Sequence, residues 1–485
     1  MNKEKLFVAR WILLFLMMVP MTVTAKVRLP HIISNGMVLQ QQTEVRLWGW
    51  NDPGKKIKVS VSWSQNPYIV HTGTDGKWMV RVKTPKGGDT PYRITFDDGE
   101  KTVVNQVLIG EVYVCGGQSN MEMTLKGYGD CPIEGYNEAV LASIHQQNIH
   151  YVKMPHRMSM HPLEDTPCEW KSISPETVTD CSAIGYFFAS LLQRTLNVPV
   201  GLVEAYRGGS RVEGWLDREN LSKYTKEPLD SAKIVAAEFD PARRCMVWHN
   251  GVFAPILNYT VNGILFYQGC SNVGDPGNQY SERLELLVKQ WRKQFGLGDI
   301  PFYNVQLAPY WCGNDMGTNF MHLREQQYIA SKKIPNSVLI CLDDLVYPYE
   351  RRQLHPCQKR QIGERIAYHA LNKQYGMKNI LCESPTFKEM RISNDTCYLR
   401  LDNTYGAMNL MEDVCGFELA GEDKVFHPAK AEKIEWKDLG FVITCPEVKK
   451  PVALRYAFRN FYPGNLKNAA GLPLYPFRTD DWELK

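Results

Sequence analysis

Beyond its first 25 residues the sequence has no long apolar run, which excludes a membrane-spanning segment in the processed chain. It has no cluster of lysines and arginines of the kind that neutralises phosphates, so a nucleic-acid partner is not expected. It has no Cys-x-x-Cys pair and no His-Glu-x-x-His, the spacings that make zinc sites, so neither a metal nor a cofactor is expected. Internal repeats and low-complexity tracts are absent as well.

At 485 residues the chain is long for one domain, and two or three are expected. A hydrophobic content of 44% and an aromatic content of 11% suit packed cores rather than disorder. Twelve Trp and 24 Tyr are generous, as in proteins that bind sugars, although aromatic cores account for such counts equally well. Of the formal charge of +4, residues 1–25 contribute +2 through Lys3, Lys5 and Arg10 against Glu4. Those residues have the form of an export leader: a positive start, an apolar run from Trp11 to Val19, and Val23-Thr24-Ala25 as a small-residue cleavage site. Export to the periplasm or the medium is expected, with cleavage near Ala25. The absence of a cysteine just after Ala25 argues against a lipid anchor. Thirteen cysteines at irregular spacing leave an odd thiol, with Cys131–Cys168 or Cys168–Cys181 as candidate disulfides. Many of the others read as buried small hydrophobes.

Residues 26–108 read as a β-sandwich. Alternating runs at 44–48, 57–61, 78–82 and 92–96 are broken by Asp52-Pro53-Gly54, Asp75-Gly76 and Asp98-Gly99. The texture changes near residue 108. Strands are expected at 112–114, 198–203, 263–267, 302–307 and 338–342, and helices at 183–196, 280–295 and 357–375. Such alternation over 109–378 argues for an α/β fold with a mostly parallel sheet covered on both faces. Residues 379–485 return to short β-like runs.

The run Cys115-Gly116-Gly117-Gln118-Ser119-Asn120-Met121 directly follows the first of those strands. Two glycines let the chain turn sharply. Ser119 is thereby raised to the rim of the sheet at a helix start, where it is either a helix cap or a nucleophile beside an oxyanion site. Three more loops follow strands and share that edge, where open α/β sheets bind ligands. Arg207-Gly208-Gly209-Ser210 can present the Gly209 N–H, and Gln268-Gly269-Cys270-Ser271-Asn272 can present the Asn272 amide. Gln353-Leu354-His355-Pro356 places His355 at the cap of a helix begun by Pro356, where an imidazole suits the role of general base. His369 falls inside that helix and reads as structural.

These four blocks, in this order and with Trp215 six residues after Gly209, resemble the SGNH-hydrolase superfamily, and specifically the sialate O-acetylesterase family of exported carbohydrate acetylesterases. Arg28-Leu29-Pro30 with Met37-Val38-Leu39-Gln40, the run Trp248–Pro255 and the run Pro301–Pro309 add to the likeness, which spans roughly residues 27–375. The resemblance implies a three-layer α/β/α domain between all-β regions. It also implies Ser119 as nucleophile, His355 as base, and the Ser119 N–H, Gly209 and Asn272 as oxyanion donors. Gln118, Arg207 and Gln268 are then expected to contact an O-acetylated sugar, Arg207 (or Arg211) meeting a sialate carboxylate.

The chain departs from that pattern twice. Cys270 stands where the family commonly has Glu, and Gln353 stands where an acid commonly precedes the histidine by two. An acid behind the imidazole orients it and stabilises its protonated form. Asp343, Asp344 or Glu350 supplies it from the preceding loop, or the pair works as a dyad; an acid from the loop is the expectation. Sialic acid is the first acceptor to consider. Acetylated xylan or xyloglucan is an alternative, as is a carbohydrate-binding homologue with a weakened site. A thiol nucleophile at Cys115 or Cys270 is a further, lesser alternative.

Overall fold

The protein is described by a computed structural model over residues 26–223, 229–236, 240–274, 279–409, 412–434 and 440–484. The expected leader lies outside the described residues, and among them no helix is long and apolar enough to cross a membrane.

A mixed α/β architecture is organised around one long strand. β1 (Lys101–Gly117) belongs to two neighbourhoods. Its first half pairs antiparallel with Gly88–Asp97, which continues to Lys56–Val61 and Tyr68–His71. A separate two-stranded antiparallel sheet of Glu44–Trp50 and Lys77–Lys83 packs over these strands, with Trp78 and Phe96 ring centroids 5.5 Å apart. The second half of β1 is the centre of a parallel sheet with β2 (Ile149–Lys153), β4 (Val200–Tyr206), β5 (Gly263–Tyr267), β6 (Phe302–Val305) and β7 (Ser337–Ile340). β3 (Trp170–Ser172) closes one edge antiparallel, giving the order β7-β6-β5-β1-β4-β2-β3. The boundary expected at residue 108 therefore falls inside a single strand.

From β1 the chain first builds β2 and β4 on one side, then returns to build β5, β6 and β7 on the other. The reversal at β1 leaves a crevice at the carboxyl ends of β1, β4 and β5, which is where such sheets bind ligands.

Helices cover the sheet because successive strand residues point to opposite faces. Cys115 meets α2 (Ala183–Leu196), where a Cβ added at Gly185 would lie 3.0 Å from its sulfur. Gly116, the next residue, faces Trp291 of α3 (Tyr280–Phe295). Both helices carry the signals that bound them. Ser182 Oγ accepts from the Gly185 N–H at the start of α2, and Asn197 (φ 53°) and Gly296 (φ 61°) take left-handed caps. α5 (Lys359–Lys373) lies against α2 at Gly363, where a Cβ would come within 2.7 Å of the Ile184 carbonyl and the Phe188 nitrogen. Only a glycine permits that approach. α4 (Asn319–Lys333) has no apolar stripe strong enough to be read from the sequence, because Arg324, Gln326 and Gln327 share its buried face.

The N-terminal strands and the α/β region share one continuous apolar core, from Ile57, Val59 and Phe96 through Val112 and Val114 to Leu284 and Ile366. The C-terminal strands have a second core around Leu399, Phe417, Leu419, Phe441 and Leu454, between two four-stranded antiparallel sheets. All 13 cysteines are free thiols, so neither expected disulfide is present, and nine of them are buried.

Candidate active site

The glycine turn forms as expected. Gly117 takes φ +127°, and a Cβ there would lie 2.2 Å from the Tyr267 carbonyl oxygen. The helix it leads into, α1 (Ser119–Glu122), is a single turn capped by Gln118, so its dipole is slight and Ser119 is its first residue rather than its cap. Ser119 stands at the switch point, half-buried, with the Tyr128 hydroxyl donating to its carbonyl at 2.9 Å.

His355 reaches Ser119: Nε2 and Oγ are 2.8 Å apart. The helix after it begins at Lys359 with Gln358 at its cap, later than Pro356. The delay has a local cause. Glu350 accepts from the Cys357 N–H, and the Lys359 N–H donates to the Cys357 carbonyl, which holds residues 355–357 outside the helix. The loop is fastened to the nucleophile's turn through Asn120, whose Nδ2 donates to the Leu354 carbonyl and whose Oδ1 accepts from Lys359 Nζ at 2.6 Å.

None of the acids expected behind His355 is there. Asp343 is buried against Arg324 at 2.9 Å and accepts from the Gly464 N–H. Asp344 pairs with Arg365 and Lys467. Glu350 accepts the Cys357 and Tyr347 N–H groups. Each is committed to holding backbone or an arginine, which is why none turns to the imidazole. Among the described residues no group hydrogen-bonds His355 Nδ1. The acid that acts on the ring is one the sequence did not single out, Asp130, held by Gln353 Nε2 at 3.3 Å. Burial first, and then the Lys359 ammonium, lower the His355 pKa to about 4, with Asp130 opposing. The imidazole is thus neutral at neutral pH and free to accept a proton. Lys359 is wholly buried, and burial brings its own pKa down to about 7.

Across the crevice, the amides of Ser119 and Gly209 donate to no group among the described residues, and Gly209 takes φ +74°. The neighbouring Gly208 N–H is occupied by the Glu122 carboxylate, whose other oxygen lies 3.4 Å from His156 Nε2. Asn272 is fully buried. Its Oδ1 accepts from the Val212 N–H and from Gln268 Nε2, which fixes Nδ2 as the donor end, and Nδ2 donates to Glu213 at 3.0 Å. Glu213 is itself paired with Arg283 and Arg211, a support with no signal in the sequence beyond its place six residues after Arg207.

Two of the expected substrate contacts are scaffolding instead. Gln118 is 2% exposed, and its Oε1 accepts from Gly269 N, Ser271 N and Gln268 Nε2. Gln268 is fully buried, donating to the Ser210 carbonyl and accepting from the Tyr280 hydroxyl. Buried amides must be satisfied, and these two satisfy each other while tying the β1, β4 and β5 loops together. Arg207 remains half-buried at the edge, its guanidinium 5.4 Å from the Trp248 ring centroid and its Nε without a partner. The thiols are poor nucleophiles. Cys115 is buried in β1, and burial raises the Cys270 thiol to about 12.

Residues 109–372 match the family described as carbohydrate esterase, sialic acid-specific acetylesterase. The human sialate O-acetylesterase is 26% identical over 396 residues, covering 74% of this chain and 73% of its own; the mouse protein of that name is 25% identical over 447 residues, covering 81% and 82%. The crystal structure of a carbohydrate acetylesterase from Xanthomonas citri superposes with a TM-score of 0.84 at 30% identity, over 94% of this chain and all of that one. The chain belongs to the carbohydrate esterase family of sialic acid-specific acetylesterases and is a carboxylic ester hydrolase.

Proposed function

We propose that the protein is an exported serine esterase that removes O-acetyl groups from sialic acid or related glycans through a Ser119–His355 dyad. One observation carries this reading: a neutral imidazole lies 2.8 Å from Ser119 Oγ, beside two backbone N–H groups without partners. Ser119 Oγ attacks the acetyl carbonyl carbon while its proton passes to His355 Nε2. The carbonyl oxygen becomes an oxyanion held by the N–H groups of Ser119 and Gly209, with Asn272 Nδ2 as third donor. His355 then returns the proton to the departing sugar oxygen, leaving acetyl-Ser119. Water, deprotonated by His355, attacks the acetyl group, and His355 returns that proton to Ser119 Oγ as acetate departs. The helices touching opposite faces of the sheet support the three-layer α/β/α arrangement of SGNH hydrolases.

Sialate is favoured as acceptor by Arg207, a guanidinium with an unpartnered Nε at the rim of the site. Neutral plant glycans are the second reading, favoured by the Glu122 carboxylate against Gly208, which repels a substrate carboxylate. Acetate release from O-acetylated sialic acids beside acetylated xylan and xyloglucan separates the two. Ser119→Ala should lower turnover at least about a thousandfold on the preferred substrate. Retention of activity by that variant would remove the mechanism, and glycan binding without acetate release would mark a weakened homologue. Export rests on the leader pattern, and N-terminal sequencing of mature protein should begin near Lys26.

A further inference from the structure

Far from the crevice, at the joint between α5 and the C-terminal strands, three ligand-type side chains meet. His369 of α5 is 3% exposed and Cys382 is 4% exposed, and Glu383 follows directly. One ligand atom from each lies within 4.8 Å of the other two. His369 Nδ1 is wholly buried and has no hydrogen-bond partner among the described residues, and Cys382 is a buried free thiol. Buried imidazole nitrogens are ordinarily satisfied, and here Nδ1 has no partner while one ring nitrogen lies within reach of a thiol and a carboxylate, a combination that a metal ion would satisfy.

We propose that His369, Cys382 and Glu383 form a structural zinc site that fastens the C-terminal β region to the α/β body. The donor set is one imidazole nitrogen, one thiolate sulfur and one carboxylate oxygen, which suits Zn²⁺ because the ion takes mixed N, S and O ligands without a preferred d-electron geometry. Its bond lengths of about 2.0–2.3 Å put tetrahedral ligands roughly 3.3–3.7 Å apart, so side-chain rotations of about 1 Å close the site around the ion. Binding takes the Cys382 proton to solvent. The resulting thiolate and the Glu383 carboxylate then balance the two positive charges, with neutral His369 and a water completing four ligands. Lys373 Nζ, 2.8 Å from Glu383 Oε1, leaves the second carboxylate oxygen for the metal. The Glu383 backbone is already fixed, its N–H donating to the Tyr405 hydroxyl and its carbonyl accepting from Asn468 Nδ2. Outer contacts of this kind hold metal ligands in place. The spacing of 13 residues between His369 and Cys382 matches no zinc signature, which is why the sequence expectation of no metal missed the cluster.

The test uses the full chain, stripped with a chelator and titrated with Zn²⁺, and separately with Co²⁺ as a spectroscopic stand-in. One zinc per chain is expected, with a rise of several degrees in Tm. Co²⁺ should give a thiolate-to-metal absorption band together with the visible bands of a four-coordinate ion. Cys382→Ser should abolish the thiolate band and weaken zinc binding at least a hundredfold, while continued hydrolysis of 4-nitrophenyl acetate confirms that it is folded. Glu383→Gln, on the accessible side of the cluster, should weaken zinc binding without removing the thiolate band. Less than one zinc per chain at saturation, or equal zinc affinity in Cys382→Ser, would overturn the proposal.

Discussion

The two sides of the crevice are built differently. On the oxyanion side four buried polar side chains, Gln118, Gln268, Asn272 and Glu213, form one hydrogen-bonded network that fixes the three loops relative to each other. On the base side, the His355 ring has a single hydrogen bond among the described residues, to Ser119 itself, and its backbone N–H is 3.4 Å from Gln353 Oε1. Hydrogen bonds through Asn120 and Glu350 fix the loop that carries His355, but the ring itself is placed by packing, with the Tyr128 ring meeting the imidazole edge-on at 5.1 Å. The proposed dyad rests on this contrast: the imidazole is held neutral by its surroundings, with no hydrogen-bonded acid behind it among the described residues.

The contrast can be broken most strongly from the rigid side. Asn272→Ala removes the proposed third oxyanion donor and leaves the Glu213 carboxylate and Gln268 amide short of partners. A fall in kcat of about 10²–10³-fold is expected, against little change in KM. A loss carried by KM instead would place Asn272 in substrate binding.

An intermediate effect is expected from the buried lysine. Only neutral His355 can accept the Ser119 proton, so activity should persist down to about pH 4 and fall below it. Lys359→Met removes the ammonium that helps to depress the ring. The acid limb of kcat/KM should then move upward, toward the ordinary histidine range near 6.5. An unmoved limb would mean that burial alone sets the pKa.

Asp130→Asn should have the smallest effect. Asp130 is exposed and acts on the ring without touching it, so a loss of about two- to fivefold is expected, the scale of a solvent-screened charge pair. Its sign is opposite to that of Lys359, since without the carboxylate the acid limb shifts downward. A loss of a hundredfold would instead make Asp130 a full third member of the catalytic group.

The same contrast explains how far the sequence could be read. Gly117, Ser119, Gly209 and Asn272 were legible because their geometry is local, each lying a few residues past the end of a strand. The helices at Ala183–Leu196 and Tyr280–Phe295 were legible to the residue because amphipathic spacing and terminal caps agree there. What stands near His355 was not legible, because the choice among Asp343, Asp344, Glu350 and Asp130 depends on where Arg324, Arg365 and the Cys357 amide lie in space. Gln118 and Gln268 look like ligand-binding groups in a motif, and only their burial shows that they bond to each other. Helix α4 escaped because polar residues occupy its inner face.

The strand Lys101–Gly117 makes the nucleophile's support and the N-terminal sheet one length of backbone. No hinge can lie between them, since a hinge would have to break ladder hydrogen bonds on either side of Ile109. The N-terminal strands are therefore not an appended module that could be trimmed away or swung over a glycan. They are expected to melt with the central sheet as one cooperative unit, and a cut at residue 108 would remove half of a strand rather than a domain.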